Sequence, residues 1–226
     1  ISTGNGEIDK KLGGGIPTGS LTIIEGASDS GKSVLAQQMI WGSLKNKHTV
    51  SLITTENTGK SLIRQMQSLN LDIVDYYLLG RLKIYPIKVT GVTDDVGVTV
   101  TSLLYVLRRQ EGHSLVVIDS VTSFIAHSSV DQTIAFFEEC KTHCNRGMTI
   151  IVVAHSYAFG ESTMIRISSM CDAHLHLSTE SLGQKLVKAL EVSKVRGAAM
   201  STGNIVTFDV EPGLGMRIMP FAKAKV

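Results

Sequence analysis

Eight consecutive residues, Gly26-Ala27-Ser28-Asp29-Ser30-Gly31-Lys32-Ser33, limit what this chain can fold into more than any other feature. They spell a complete G-x-x-x-x-G-K-[ST] loop, a pattern that works only where a strand runs into a turn and a helix begins on its far side. The flanks agree: Leu21 to Glu25 reads as a strand and Lys32 to about Lys45 as a helix. Gly26 and Gly31 permit backbone shapes that a Cβ hinders, so successive N–H groups can point inward at a polyphosphate. The positive end of the following helix adds to that attraction. Lys32 is placed to reach β- and γ-phosphates and Ser33 to hold Mg²⁺, with Gly26, Ala27, Ser28, Asp29, Ser30, Gly31 and Val34 completing the expected cradle.

The rest of the chain alternates in the same way. Val50 to Thr54, Leu115 to Asp119 and Thr149 to Ala154 are short, β-branched and apolar on both faces, as central parallel strands are. Helical patterns lie between them at Lys60 to Leu69, Val96 to Gln110 and Asp131 to Asn145. Such alternation predicts an α/β fold, a mostly parallel twisted sheet with helices on both faces. After Cys171 the texture changes. Ala173 to Ser178, Leu186 to Lys194, Asn204 to Val210 and Met216 to Met219 read as strands, with Pro212-Gly213 as a turn, so an antiparallel extension of the sheet is expected. No repeat or linker divides residues 1–226, which are expected to form one domain.

Composition narrows the function. Lys and Arg number 22 against 20 Asp and Glu, and only 19% of residues are charged while 43% are hydrophobic, which excludes intrinsic disorder and disfavours a polyanion-coating protein. Nothing approaches the roughly 18 consecutive apolar residues of a membrane span, and no leader pattern is visible. The odd count of 3 cysteines is a poor disulfide framework and points to a reduced, cytoplasmic setting. A surface this sparsely charged suits a chain partly covered by other protein.

Further positions carry chemistry. Asp119 ends the apolar run Leu115-Val116-Val117-Ile118 and, two strand–helix units after the phosphate loop, is expected to help hold Mg²⁺. Glu56, in Thr54-Thr55-Glu56-Asn57, should overhang the same crevice and polarise an attacking water, or else simply enter the next helix beside a cap at Asn57 or Thr58. His155 and Ser156 follow the next strand, where a polar side chain either senses the γ-phosphate or serves a structural role. Late in the chain, Lys194 and Arg196 alternate onto one side of a strand before Gly197. From spacing alone they are solvated cations.

Gly13-Gly14-Gly15-Ile16-Pro17-Thr18-Gly19-Ser20, the phosphate loop, Thr54-Thr55-Glu56, Val117-Ile118-Asp119-Ser120, Cys171-Asp172-Ala173 and Lys194-Val195-Arg196-Gly197 occur in the order found in the RecA-type ATPases of the circadian-clock KaiC branch. The chain resembles that branch over nearly its whole length, and its start, Ser2-Thr3-Gly4-Asn5, is most similar to the archaellum (archaeal flagellum) motor members. The resemblance implies a RecA-like P-loop core that binds ATP with Mg²⁺ and assembles as a homo-oligomeric, hexameric ring. It implies that Lys194 and Arg196 reach a neighbour's γ-phosphate, and that strands around Val210 to Met219 hold adenine. It further implies docking on the motor ATPase FlaI and the scaffold FlaX at the membrane-associated base of the archaellum, with little or no hydrolysis. One departure matters. KaiC-like ATPases commonly carry two adjacent acids where this chain has Glu56-Asn57, and Asn cannot accept a proton near neutral pH.

Three functions compete: a nucleotide-gated motor component, a KaiC-like autokinase using one of the nearby hydroxyls, and a DNA-dependent recombinase-type ATPase. The last needs cationic loops along a nucleic-acid backbone. Residues 120–130 contain no Lys or Arg and residues 157–172 only Arg166, so no nucleic-acid partner is expected.

Overall fold

The computed structural model describes residues 1–87, 100–110, 112–182, 185–200, 202 and 205–219. Nine strands form one sheet in the order β3-β2-β4-β5-β1-β6-β7-β8-β9. The strands are β1 (Leu21–Gly26), β2 (Val50–Thr54), β3 (Leu82–Pro86), β4 (Leu115–Asp119), β5 (Thr149–His155), β6 (Ala173–Leu182), β7 (Lys185–Val195), β8 (Ile205–Glu211) and β9 (Gly215–Met219). From β3 to β6 every pairing is parallel; from β6 to β9 every pairing is antiparallel. The mostly parallel α/β sheet with its antiparallel extension is thus the architecture that the alternation in the sequence predicts.

The parallel strands are apolar throughout because both their faces are covered. Ile24, Leu52, Val117, Ile151 and Val153 pack on one side with α1 (Gly6–Lys11), α2 (Lys32–Lys45), α3 (Gly59–Ser68) and the short α4 (Val74–Leu78). Ile23, Ile53, Val116, Ile118 and Val152 pack on the other with α5 (Val100–Arg108), the short α6 (Thr122–Ile125), α7 (Val130–Asn145) and α8 (Glu161–Met170). Register levels the carboxyl ends in pairs: Gly26 of β1 lies opposite His155 of β5, and Thr54 of β2 opposite Asp119 of β4, which in turn faces Val153 of β5. Open α/β sheets bind ligands in the crevice outside such strand ends.

Three expectations shift. Leu82–Pro86 is a strand that the sequence hides, since it lies at the sheet edge with only Leu82 buried and carries Lys83 and Pro86. Residues 161–170, expected as loop, form α8, whose Ser- and Thr-rich sequence buries only Thr163 and Ile167. The helix expected from Val96 has its described part at Val100–Arg108, and residues 96–99 lie outside the described residues, as does Asn204 before β8. Among the described residues no helix is long and apolar enough to cross a membrane. The three cysteines are free and buried, and burial drives their thiols upward, to about 12 for Cys144 and Cys171.

A β-bulge decides where the late cations go. His174 pairs with Lys194 but Leu175 with Val192, which leaves Ser193 as an extra residue on β7. Leu190, Val192 and Val195 consequently share the α2 side of the sheet despite the odd spacing. Lys194 and Arg196 are turned to the opposite side, where they donate to the carbonyls of Ser168 and Ser169 at the end of α8.

The N-terminal segment lies directly on α2. A Cβ at Gly42 would sit 2.4 Å from Gly4 N, Ser2 O and Thr3 C. Alanine in a helix interior ordinarily favours folding by about 1 kcal/mol over glycine. Here the clash reverses the sign, and Gly42→Ala is expected to destabilise by about 1–3 kcal/mol, measured by urea unfolding. A stabilised variant would show that the segment does not pack on the helix.

Candidate nucleotide site

The phosphate loop closes β1 and opens α2. Gly31 caps the helix at φ 95° and Asp29 sits at φ 57°. Gly26 is sterically required: an added Cβ would stand 2.1 Å from the carbonyl oxygen of Leu177 on β6. Inside the loop, Ser30 Oγ donates to Ala27 O at 2.8 Å and Lys32 Nζ to the same oxygen at 2.6 Å. Lys32 is only 6% exposed. Burial lowers its pKa, while Glu56, Asp119, Glu25 and Asp29 raise it in return. A lysine resting on a neutral carbonyl within four carboxylates is poised for a better anionic partner, and a phosphate chain fits that need.

Asp119 is 4% exposed and receives a 3.3 Å hydrogen bond from Ser33 Oγ. Burial pushes its pKa up to about 7, and the charge of Glu56 adds to the rise, against lowering by Ser33 and Lys32. The Ser33 and Asp119 oxygens are a fitting pair for a hard cation, since Mg²⁺ takes oxygen ligands and binds through few carboxylates. Glu56 and Asn57 leave β2 on a turn in which both backbone N–H groups donate to Thr54 Oγ1 at 3.2 Å. The helix that follows is capped by Thr58 in a capping box with Ser61, so neither Glu56 nor Asn57 is needed as its cap.

A cavity of about 440 Å³ joins these parts. Ser28, Asp29, Gly31, Lys32, Ser33 and Val34 line it from the loop, Glu56, Asn57 and Gln65 from β2 and α3, and His155 from β5. Gly26, Ala27 and Ser30 shape the loop from behind. His155 Nδ1 is 3.5 Å from Lys32 Nζ, and its ring stacks on Tyr157 at 5.0 Å. Burial and the Lys32 charge lower the pKa of His155, which keeps its imidazole neutral beside the ammonium. Lys194 and Arg196 are absent from the lining. They stand on the α8 side, and within one chain they are not brought to the phosphate loop.

Sequence reasoning overlooks two features. One is Lys188 of β7, which completes the cavity wall together with Val210 of β8; the resemblance already points to Val210, but no motif marks Lys188. The other is Glu25, the residue before the loop. Its carboxylate accepts from Ser156 Oγ and lies 2.5 Å from His176 Nδ1 and 3.3 Å from His174 Nε2. Burial alone would raise its pKa; the bonds from His174, Ser156 and His176 bring it down to about 2. Ser156 is therefore engaged by Glu25 and not directed at the cavity. The alternation His174-Leu175-His176 against a buried acid on the neighbouring strand is the only trace in the sequence.

The raised Asp119 gives a testable pH dependence. A carboxyl whose folded pKa of about 7 exceeds its unfolded value favours the folded state fully below about pH 4 and loses that contribution as pH rises through 7. Ligand-free Asp119→Asn is expected to exceed the parent by about 4 kcal/mol at pH 8 and to match it near pH 4. Urea midpoints at the two pH values check this; coincident midpoints at pH 8 contradict it.

Comparison with known proteins agrees with this geometry. Residues 1–223 match the family described as "ATPase: KaiC". The archaeal flagellar ATP-binding protein FlaH of Sulfolobus acidocaldarius is 32% identical over 227 residues, covering 100% of this chain and 99% of that protein. The protein of the same description from Methanocaldococcus jannaschii is 29% identical over 96% of this chain and 94% of its own length. The crystal structure of flagellar accessory protein FlaH from M. jannaschii superposes with a TM-score of 0.84 over 95% of each chain. The chain belongs to the KaiC family of ATPases and, within it, to the archaeal flagellar FlaH proteins.

Proposed function

We propose that this chain is the nucleotide-gated component of the archaellum motor: it binds ATP with Mg²⁺, turns it over slowly if at all, and engages the motor ATPase according to its nucleotide state. The observation that carries this reading is the pairing of a complete phosphate-binding apparatus with a single acid, Glu56, beside Asn57 on the cavity wall. Lys32 and the loop N–H groups hold the phosphate chain. Ser33 and Asp119 hold Mg²⁺, which would neutralise charge on the phosphate oxygens when bound. Glu56 orients the attacking water, and His155, next to Lys32, senses the terminal phosphate. The face bearing Lys194 and Arg196 meets the neighbouring subunit of a hexameric ring, where the two cations complete that subunit's site. FlaI and FlaX are the partners that this family membership suggests, at the cytoplasmic base of the archaellum.

A gate requires that the partner distinguish the nucleotide states energetically. Affinity of this chain for the motor ATPase, measured with ATP, with ADP and without nucleotide, is expected to differ at least about tenfold between the extremes, corresponding to a coupling of about 1.4 kcal/mol. Equal affinities in the three states would sink the proposal. Lys32→Ala is expected to weaken ATP binding by about a hundredfold, because several charge-assisted contacts go together, and to abolish the difference between states.

Slow turnover is attributed to Asn57. Asn57→Glu supplies the second acid and is expected to raise ATP hydrolysis by about tenfold or more, within the range of a positioned base. An unchanged rate, with ATP binding intact, would place the limit elsewhere.

A further inference from the structure

Two ammonium groups rest on the phosphate loop, and the loop's own motif accounts for only one. Lys188, on β7, donates from Nζ to the carbonyl oxygen of Asp29, two residues along the loop from the carbonyl that holds Lys32. Its mounting is specific. Lys188 is the cross-strand partner of Phe208 on β8, and Phe208 is fully buried. A Cβ at Gly31 would lie 3.1 Å from both Lys188 Cδ and Phe208 Cζ, so stem and ring together cover the glycine that opens α2. The bulge at Ser193 keeps Lys188 on the α2 side with Leu190 and Val192 while Lys194 and Arg196 face away. Lys188 is thus aimed at its own chain's site.

We propose that Lys188 is a second cation for the nucleotide's phosphate chain, supplied in cis by the antiparallel extension. This inference rests on the ATP-binding reading and extends it. Asp29, Glu56 and Asp119 already crowd the site with negative charge, and Lys32 is the only cation in the G-x-x-x-x-G-K-S motif. A polyphosphate brings several more negative charges. In this structure the Lys188 ammonium holds a neutral carbonyl. Exchanging that partner for a phosphate oxygen gives a stronger, charge-assisted bond while the stem stays fixed against Phe208. Mounting on a paired strand holds the group more closely than a loop does. The same exchange frees the Asp29 carbonyl, so phosphate binding loosens the tie between the loop and the β7–β8 hairpin.

Lys188→Met keeps the stem over Gly31 and removes the charge. By calorimetry with Mg²⁺, its affinity for ATP is expected to fall about tenfold while adenosine, measured by competition, binds as to the parent chain. Raising the ionic strength shrinks the gap for ATP, since screening weakens a charge contact and not a packing one. Lys188→Arg recovers most of the loss. ATP affinity of Lys188→Met within twofold of the parent, or equal losses for ATP and adenosine, overturns the proposal. Lys32→Ala, run in parallel, separates the two readings. If Lys32→Ala loses ATP and Lys188→Met does not, only this inference fails; if the parent chain itself does not bind ATP, the reading beneath it fails as well.

Discussion

The Lys32 ammonium, buried at the point where β1, β4 and β5 end, is the interaction around which the rest of the molecule is arranged. An ammonium taken from water needs compensating partners, and here they come from separate stretches of chain: the Ala27 carbonyl, Glu25 and Asp29 from the loop region, Glu56 after β2 and Asp119 after β4. Those residues converge only if the parallel strands lie in the order β2-β4-β5-β1, with the end of β2 level with β4 and the end of β5 level with β1. A one-residue slip of any of these strands would turn its side chains to the opposite face and drag its terminal acid away from the lysine. Core packing and site electrostatics are therefore one constraint seen from two ends.

The antiparallel extension adds something that the parallel core lacks, namely a difference between its two faces. One extra residue, Ser193, divides β7 into a part that covers the phosphate loop and a part that faces α8. Lys188 belongs to the first, Lys194 and Arg196 to the second. Beside the second set, Glu25 links the end of β1 to Ser156 on β5's exit and to His174 and His176 on β6, and Ser168 Oγ in turn reaches His174 Nδ1 at 3.0 Å. Hydrogen bonds thus run from the strand that carries the phosphate loop to the helix end on which Lys194 and Arg196 rest.

How much of this was legible in the sequence follows from the range of each interaction. The phosphate loop, the strand ending in Asp119 and the turn bearing Glu56 are local patterns: backbone conformation and nearby burial determine them, and they stand where the spacing predicts. Helix α8 and strand β3 were illegible because each buries little, two residues in the first and one in the second, and hydrophobic period is the signal that burial writes into a sequence. The roles of Lys188 and Glu25 are illegible for another reason. Lys188 meets the loop across 159 residues and Glu25 meets His176 across 151, and nothing in either's immediate neighbourhood encodes the partner. For Lys194 and Arg196, simple alternation correctly sets the pair on one side, but which side depends on a bulge that only the pairing register reveals.

Asn57 gains its meaning from the charge already present. Asp119 is buried, and the charge of Glu56 beside it adds to the cost of ionising it; burial and that repulsion push Asp119 up to about 7. A second acid at position 57, on the same cavity wall, would add a like charge to a site whose cations are Lys32 and Lys188. It would lower the stability of the ligand-free state and make ionised Asp119 scarcer near neutral pH, just where a cation needs it. Asn57 avoids that cost and gives up a proton acceptor. In the gate proposed above, that arrangement would keep the groups that hold a nucleotide while slowing its turnover, so that the signal would last as long as the bound triphosphate does.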